Sequence, residues 1–278
     1  MKTTALAPWF GSNRLCAHQA GELLAGCEWV GVGFAGGMCE LAHIKARTLM
    51  VNDLHRHVIN LARVVADQRE ELQQRLDATL FHPDELTAEE GRCAAIEAAG
   101  LAPADRLAWA ADYFVCSWMA RNGLAGTARE FKSGLSSRWN AGGGDSATRF
   151  RSAAESLTEW QAVMRRCIFT TLDVFDFLAR VKDEPRHGLY LDPPFPGPGD
   201  SYKHAFPEAS QRLLAARLAD LHACRVVVRY YDHPLVRELY PENRWTWHRP
   251  EGGKTQTNKS APEVLLVNRP AESTTIGA

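Results

Sequence analysis

No Cys-x-x-Cys pair occurs among the seven cysteines, Cys16, Cys27, Cys39, Cys93, Cys116, Cys167 and Cys224. That removes the spacing of a structural zinc site and argues against a disulfide framework. Free thiols in a reducing compartment are the direct expectation. His-Glu-x-x-His is absent as well, and His55 with His57 reads as a solvated helix start rather than a metal pair, so no metal is expected. No apolar stretch approaches the roughly 18 residues of a membrane span, and no charged start leads into a secretory apolar run. The expectation is a soluble intracellular chain with no membrane partner. Excess charge is missing too. Thirty-two Lys and Arg against 33 Asp and Glu leave a formal net charge of -1, so a polyanionic partner must be met by a local patch.

What is present is ordinary in bulk. A chain of 278 residues with 45% hydrophobic content can bury a sizeable core, as one large α/β domain or a core domain plus an insertion.

The stretch hardest to explain by packing alone is Leu189-Tyr190-Leu191-Asp192-Pro193-Pro194-Phe195. Gly188 to Leu191 is a short apolar run of the kind shown by a buried parallel strand. Pro193 and Pro194 end it, because proline has no N–H for a ladder and fixes φ. Open α/β sheets bind ligands at this strand edge. An Asp192 carboxylate, the proline carbonyls and the flat face of Phe195 suit a planar group bearing an amino substituent. Asp192 and the Pro193 carbonyl accept its two N–H bonds, and Phe195 stacks on its face. A Pro-rich turn with Asp192 as turn former explains the bare tetrapeptide equally well.

Earlier in the chain, Pro8–Arg14 combines two large aromatics with Gly11, and residues 15–26 form a short helix closed by Gly26. The β-branched run Trp29–Val32 passes into Gly33-Phe34-Ala35-Gly36-Gly37-Met38 and an apolar helix-like segment over 39–46. Strand, glycine turn and helix give a nucleotide-like ligand access to backbone N–H groups, although tight packing accounts for such a turn too. The strand Thr48–Val51 ends in Asn52-Asp53. An acid about 20 residues beyond the first glycine of the loop is placed to take ribose hydroxyls. Asp53 is equally placed to cap a helix over 54–66, whose apolar face is 54, 58, 61, 64 and 65.

Between 67 and 170 the α/β alternation stops. Residues 67–100 carry nine acids against three arginines and read as exposed helices. Residues 121–151 reverse the balance with Arg121, Arg129, Lys132, Arg138, Arg149 and Arg151, and add Trp139, Asn140 and Gly142-Gly143-Gly144. This is a phosphate-contacting and base-probing surface, or a solvated basic loop. Alternation returns with the strand 167–172 ending in Asp173, helix 174–181, the 188–195 stretch, a lid-like loop over 197–204, and helix 207–222. Strand 224–231, helix 234–240, strand 244–248, a polar loop containing Lys254, and strand 264–267 follow, the last expected to close the sheet.

In this order the pieces resemble the S-adenosylmethionine-dependent DNA adenine (amino) methyltransferases, Dam-like, of the phage or bacterial type, with the target-recognition insertion between cofactor and catalytic motifs. Tyr230-Tyr231-Asp232-His233-Pro234-Leu235 and Pro262–Asn268 extend the likeness over most of residues 8–268. The resemblance implies a Rossmann-like α/β sheet, mostly parallel with one antiparallel strand. Residues 1–66 and 167–270 would form the catalytic domain, 67–166 a mainly helical inserted target-recognition region, and 271–278 a disordered tail.

It also implies roles. Asp192, Pro193, Pro194 and Phe195 would be catalytic. S-Adenosyl-L-methionine would be held by Trp9, Gly11, Asn13, Phe34, Gly36, Gly37, Met38, Asp53, Asp173 and Val174, with Asp192 beside it. Double-stranded DNA would be met by Arg121, Arg129, Lys132, Arg138, Trp139, Asn140, Arg149, Tyr202, Lys203 and Lys254. The reaction would methylate the 6-amino nitrogen of a flipped adenine, in a bacterial cytoplasm or from a phage gene. Asn13 stands where the family arm usually has lysine, and Val32-Gly33 where Glu-Pro usually precedes the glycines. Two other readings stay open here: the same chemistry on RNA adenine, or a DNA-binding protein with a degenerate cofactor site.

Overall fold

The computed structural model describes residues 5–11, 16–121, 124–137, 139–140, 144–197, 202–204, 206–249 and 262–268. The strands, in chain order, are β1 (Trp29–Val32), β2 (Thr48–Asn52), β3 (Trp139–Asn140), β4 (Gly144–Asp145), β5 (Cys167–Thr170), β6 (His187–Leu191), β7 (Arg225–Tyr231), β8 (Trp245–His248) and β9 (Glu263–Asn268). The helices are α1 (Ala17–Leu23), α2 (Arg56–Asp67), α3 (Arg69–Ala78), α4 (Pro83–Ala99), α5 (Arg106–Met119), α6 (Ser146–Glu155), α7 (Leu157–Met164), α8 (Val174–Leu178), α9 (Glu208–Ala219) and α10 (Pro234–Leu239).

A seven-stranded sheet runs in the order β5-β2-β1-β6-β7-β9-β8. β1 pairs in parallel with both β2 and β6, β6 pairs in parallel with β7, and β9 runs antiparallel to β7 and β8. This is a mixed α/β, mostly parallel sheet of the Rossmann-like kind that the resemblance implied, with β9 as its antiparallel strand. The last strand does not close the sheet as its position in the sequence led us to expect. β9 inserts between β7 and β8 and leaves β8 at the edge, because the antiparallel direction lets the chain return beside β7.

The chain condenses into two compact units. One comprises Leu15–Ala35, His43–Asn52 and Leu172–Ala278. Its core is an alternating apolar face, with Leu189 and Leu191 of β6, Val226 and Val228 of β7, and Val264 and Leu266 of β9 packed with Phe177 of α8 and Leu214 and Leu218 of α9. Tyr190, Val227 and Arg229 are buried with the opposite parity. Reversal of the chain order on either side of β1 makes the C-terminal ends of β1 and β6 the topological switch point, where open sheets bind ligands.

The other unit comprises Met1–Arg14, Gly36–Ala42 and Asp53–Thr171. Here α2 packs on α5 and α7, burying Val58, Leu61, Val64 and Val65, the expected apolar face. Leu54 does not belong to it and is exposed, because it precedes the helix. Two further expectations fail in this unit. Over 39–46 the only helical element is a 3-10 turn at Glu40–Ala42, since Met38 takes a left-handed φ of 61° and β2 starts at Thr48, leaving room for one turn. His55 and His57 are buried, not solvated.

Candidate active site

Within the first-described unit the site is built on strand ends. Asn52 at the end of β2 is buried, and its Nδ2 donates to the carbonyls of Gly33 and Leu172 at 3.1 and 3.0 Å while its Oδ1 accepts from the Leu172 N–H at 2.9 Å. One amide thus ties the turn after β1 to the segment entering α8. Nothing in the sequence pattern distinguished Asn52 from a strand-end turn former. Asp173 caps α8, accepting from the Phe175 N–H at 2.8 Å, and Val174 is buried behind it. Phe34 lies edge-on to Phe206, ring centres 5.5 Å apart, and Phe206 stacks on Phe175 at 6.3 Å.

β6 ends at Leu191, and Asp192-Pro193-Pro194-Phe195 continues without regular structure. The carbonyl of Pro194 is engaged, accepting from Gln211 Nε2 at 2.7 Å, and Gln211 Oε1 in turn accepts from the Tyr230 hydroxyl. Of the two proline carbonyls expected to be free, Pro194 is therefore committed to holding the turn against α9. Phe195 lies edge-on to Tyr231 with ring centres 4.6 Å apart.

The Asp192 carboxylate, with 18% of its side chain exposed, accepts from Arg229 Nη1 at 2.8 Å. Burial pushes Asp192 up to about 6, against the pull of the Arg229 guanidinium. Arg229 also donates to Glu263, which accepts from Cys16 Sγ at 3.0 Å. Arg229 and Glu263 were missed from sequence.

In the other unit, the N-terminal arm docks onto the glycine turn. The Leu6 N–H donates to the Gly37 carbonyl at 3.0 Å, the Phe10 N–H to the Ala125 carbonyl at 3.4 Å, and Gly11 takes a φ of 68°. Gly36 takes a φ of 45°, and a Cβ there would stand 3.0 Å from the Trp9 indole nitrogen, so the indole would have to give way. Asp53 is a staple rather than a helix cap. Its Oδ2 accepts from the Gly36 N–H and its Oδ1 from the His55 N–H, both at 2.8 Å, while α2 is capped by the His55 ring accepting from Val58 N–H. Met38 is fully buried.

His55 Nε2 pairs with Glu130 Oε2 at 2.8 Å and lies edge-on to Trp9 at 5.0 Å. His57 accepts from the Trp109 indole N–H at 2.7 Å and pairs with Glu97 at 3.1 Å. Partners this distant in sequence turn an apparently solvated His-x-His into a buried polar network.

Of the DNA-facing candidates, Arg121, Arg129 and Lys132 are exposed, and Arg149, Tyr202 and Lys203 are half-buried and have partners. Trp139 and Asn140 form β3, paired with β4. Asn13, Arg138 and Lys254 lie outside the described residues, as do Gly142, Gly143, residues 198–201 of the expected lid and the tail. Arg151, counted with the basic stretch, is spent on α3, donating to the carbonyls of Leu76 and Thr79 at 2.8 and 2.7 Å. Among the described residues no cluster of three or more metal-ligating side chains occurs, and no helix is long and apolar enough to cross a membrane.

A family model described as D12 class N6 adenine-specific DNA methyltransferase matches residues 33–255, from the glycine turn past the Asp192 stretch and the Tyr230-Tyr231-Asp232 segment. No curated protein matches the chain.

Proposed function

This chain belongs to the D12 class of N6 adenine-specific DNA methyltransferases, and from that premise we propose how its residues divide the work on a flipped adenine of double-stranded DNA. The class methylates DNA adenine, and use of S-adenosyl-L-methionine and base flipping follow from membership. Flipping is required because the amino group cannot be reached inside the stack.

The residues present fit such a methyl donor. A turn closed by Gly36 and Gly37 keeps side chains away from its backbone, and Asp53 has carboxylate lone pairs beyond the two N–H bonds it accepts. The donor supplies an electrophilic methyl group on a sulfonium. In our reading Asp53 takes the ribose hydroxyls, Phe34, Gly36 and Gly37 line the methionine part with the buried Met38 packed behind them, Asp173 and Val174 flank its adenine, and Trp9, Gly11 and Asn13 close its amino-acid end.

At the target, the lone pair of the 6-amino nitrogen is delocalised into the purine. Asp192 and the Pro193 carbonyl accept hydrogen bonds from its two N–H groups, which localises the lone pair, and Phe195 supplies a stacking face; one of these N–H protons is lost to solvent once the nitrogen carries the methyl group. The Asp192 carboxylate also stabilises the positive charge that develops on nitrogen as it is methylated. Residues 67–166 are proposed as the target-recognition region. Arg121, Arg129, Lys132, Arg138 and Arg149 with Tyr202, Lys203 and Lys254 would contact phosphates, and Trp139 and Asn140 would probe bases.

The observation that carries this reading is an ionisable acid at the C-terminal end of β6, followed directly by the Pro-Pro turn and an aromatic ring. The test is single-turnover transfer of labelled methyl to an adenine-containing duplex, with RNA of the same sequence alongside. Transfer to duplex DNA, reduced about a hundredfold or more in Asp192→Ala, is expected. Full activity in that variant removes Asp192 from the chemistry, and preferential labelling of RNA removes the DNA substrate.

A further inference from the structure

Arg229 stands in the middle of the run Val226-Val227-Val228-Arg229-Tyr230 of β7 and is 1% exposed. The antiparallel register sets Tyr231 against Glu263 and Arg229 against Leu265, so Glu263 lies diagonally across from Arg229 on the same face. In the parallel direction Leu191 pairs with Val228, and Asp192 follows Leu191 as Arg229 follows Val228. Three neighbouring strands thereby deliver a row of acid, base and acid.

The guanidinium uses both ends. Nη1 donates to Asp192 Oδ2 at 2.8 Å, and Nη2 and Nε donate to Glu263 Oε1 and Oε2 at 2.7 and 3.3 Å. Its carbon lies 5.2 Å from the centre of the Phe195 ring. A buried ion triad adds little net stability over well-packed apolar side chains, because desolvation consumes the Coulomb gain. It does impose direction, since a planar fork bonded at both ends fixes the rotamer of each carboxylate. Two carboxylates around one guanidinium also leave one net negative charge at the strand edge.

We propose that Arg229 is a positioning residue for methyl transfer, anchored by Glu263, which holds Asp192 as an oriented carboxylate and seats Phe195 beside it. The inference rests on reading Asp192 as an acceptor of a hydrogen bond from the adenine amino group. Arginine is needed because a lysine ammonium cannot bond two carboxylates in a plane and present a flat face to a ring at once.

Among the described residues, the charged and titratable groups around Asp192 are Arg229, Tyr230 and Tyr231 of β7, Glu263 of β9, Tyr190 of β6, and Cys16 ahead of α1. Burial pushes the Cys16 thiol up to about 12 and raises Tyr230 and Tyr231, so these three stay neutral near neutral pH. Transfer needs ionised Asp192, so activity falls on the acid side.

The experiment is the pH profile of single-turnover methyl transfer at saturating S-adenosylmethionine and duplex, from about pH 5 to 9. Wild type is compared with Arg229→Met, Arg229→Lys, Glu263→Gln and Asp192→Ala, each checked by circular dichroism. The acid limb of Arg229→Met moves up by about one to three units, the usual effect of losing an adjacent opposite charge. Arg229→Lys moves it up by less. Glu263→Gln removes a competing negative charge and moves it down. Where Arg229→Met does not fold, the opposite movements of Arg229→Lys and Glu263→Gln carry the test, since a merely structural role would not shift the limb in two directions. An inactive Asp192→Ala with an unmoved limb in the Arg229 and Glu263 variants overturns the positioning role alone. Full activity in Asp192→Ala overturns it together with the reading of Asp192.

Discussion

Trp9 lies over Gly36 so closely that a single added carbon on Gly36 would stand 3.0 Å from the indole nitrogen. The same glycine donates its N–H to Asp53 Oδ2 at 2.8 Å, so arm, glycine turn and acid are interlocked. Alanine at 36 is penalised twice, by the φ of 45° and by the indole. We expect Gly36→Ala to weaken S-adenosylmethionine binding by about tenfold, the equivalent of about 1–2 kcal/mol of backbone strain. Calorimetric titration checks this, and unchanged affinity would mean that the turn does not meet the donor.

Asp183 accepts three consecutive backbone N–H bonds, from His222, Ala223 and Cys224 at 2.9, 2.8 and 2.7 Å, at the entry to β7. Slight burial would raise this carboxyl, but the three N–H donors outweigh it and hold it below its ordinary value of 3.8. A depressed folded-state value contributes stability above the unfolded value, and this is lost as pH falls through the folded value. Asp183→Ala should therefore cost about 1 kcal/mol at pH 7, discounted because the side chain is exposed, or about 2–4 °C in melting temperature. The gap to wild type should close well below pH 3.8. A gap that persists undiminished there assigns the loss to something other than the carboxylate.

Arg151 and Arg129 carry the same charge within one basic stretch and should behave oppositely. Arg151 bonds carbonyls at the end of α3, whereas Arg129 is exposed. Arg151→Ala should lower stability by about 1–3 kcal/mol without altering the salt dependence of duplex binding. Arg129→Ala should leave melting unchanged and reduce the salt slope by about one. Thermal melting and binding titrations at several salt concentrations separate the two, and a lowered slope for Arg151→Ala would return it to the DNA surface.

The sheet was legible because its apolar runs are long enough to admit one meaning, and Asp192-Pro193-Pro194-Phe195 because two prolines and an acid at a strand end resist explanation by packing. Arg229 was not legible. An arginine within a valine run reads as a solvent-facing position, and only the registers of β7 against β6 and β9 reveal that it is enclosed by two carboxylates. His55 and His57 misled for the same reason, since Glu130 and Trp109, which bury them, lie far along the chain. The helix expected over 39–46 failed on geometry, because apolar content does not record that the turn at Met38 has already used the available length.

The pairing of Trp29 with His187 at the centre of the sheet joins segments separated by more than half the chain. During translation β1 and β2 emerge early, and the strand that must lie beside β1 is not yet made. At ordinary ribosome speeds the delay is about 10–30 s, during which one flank of β1 has no native partner and is open to other chains. The helical stretch between them, rich in local contacts such as α4 on α5, can form while the sheet waits. Slower translation between β1 and His187 lengthens that exposure, and synonymous recoding of this stretch should change the soluble yield of the protein.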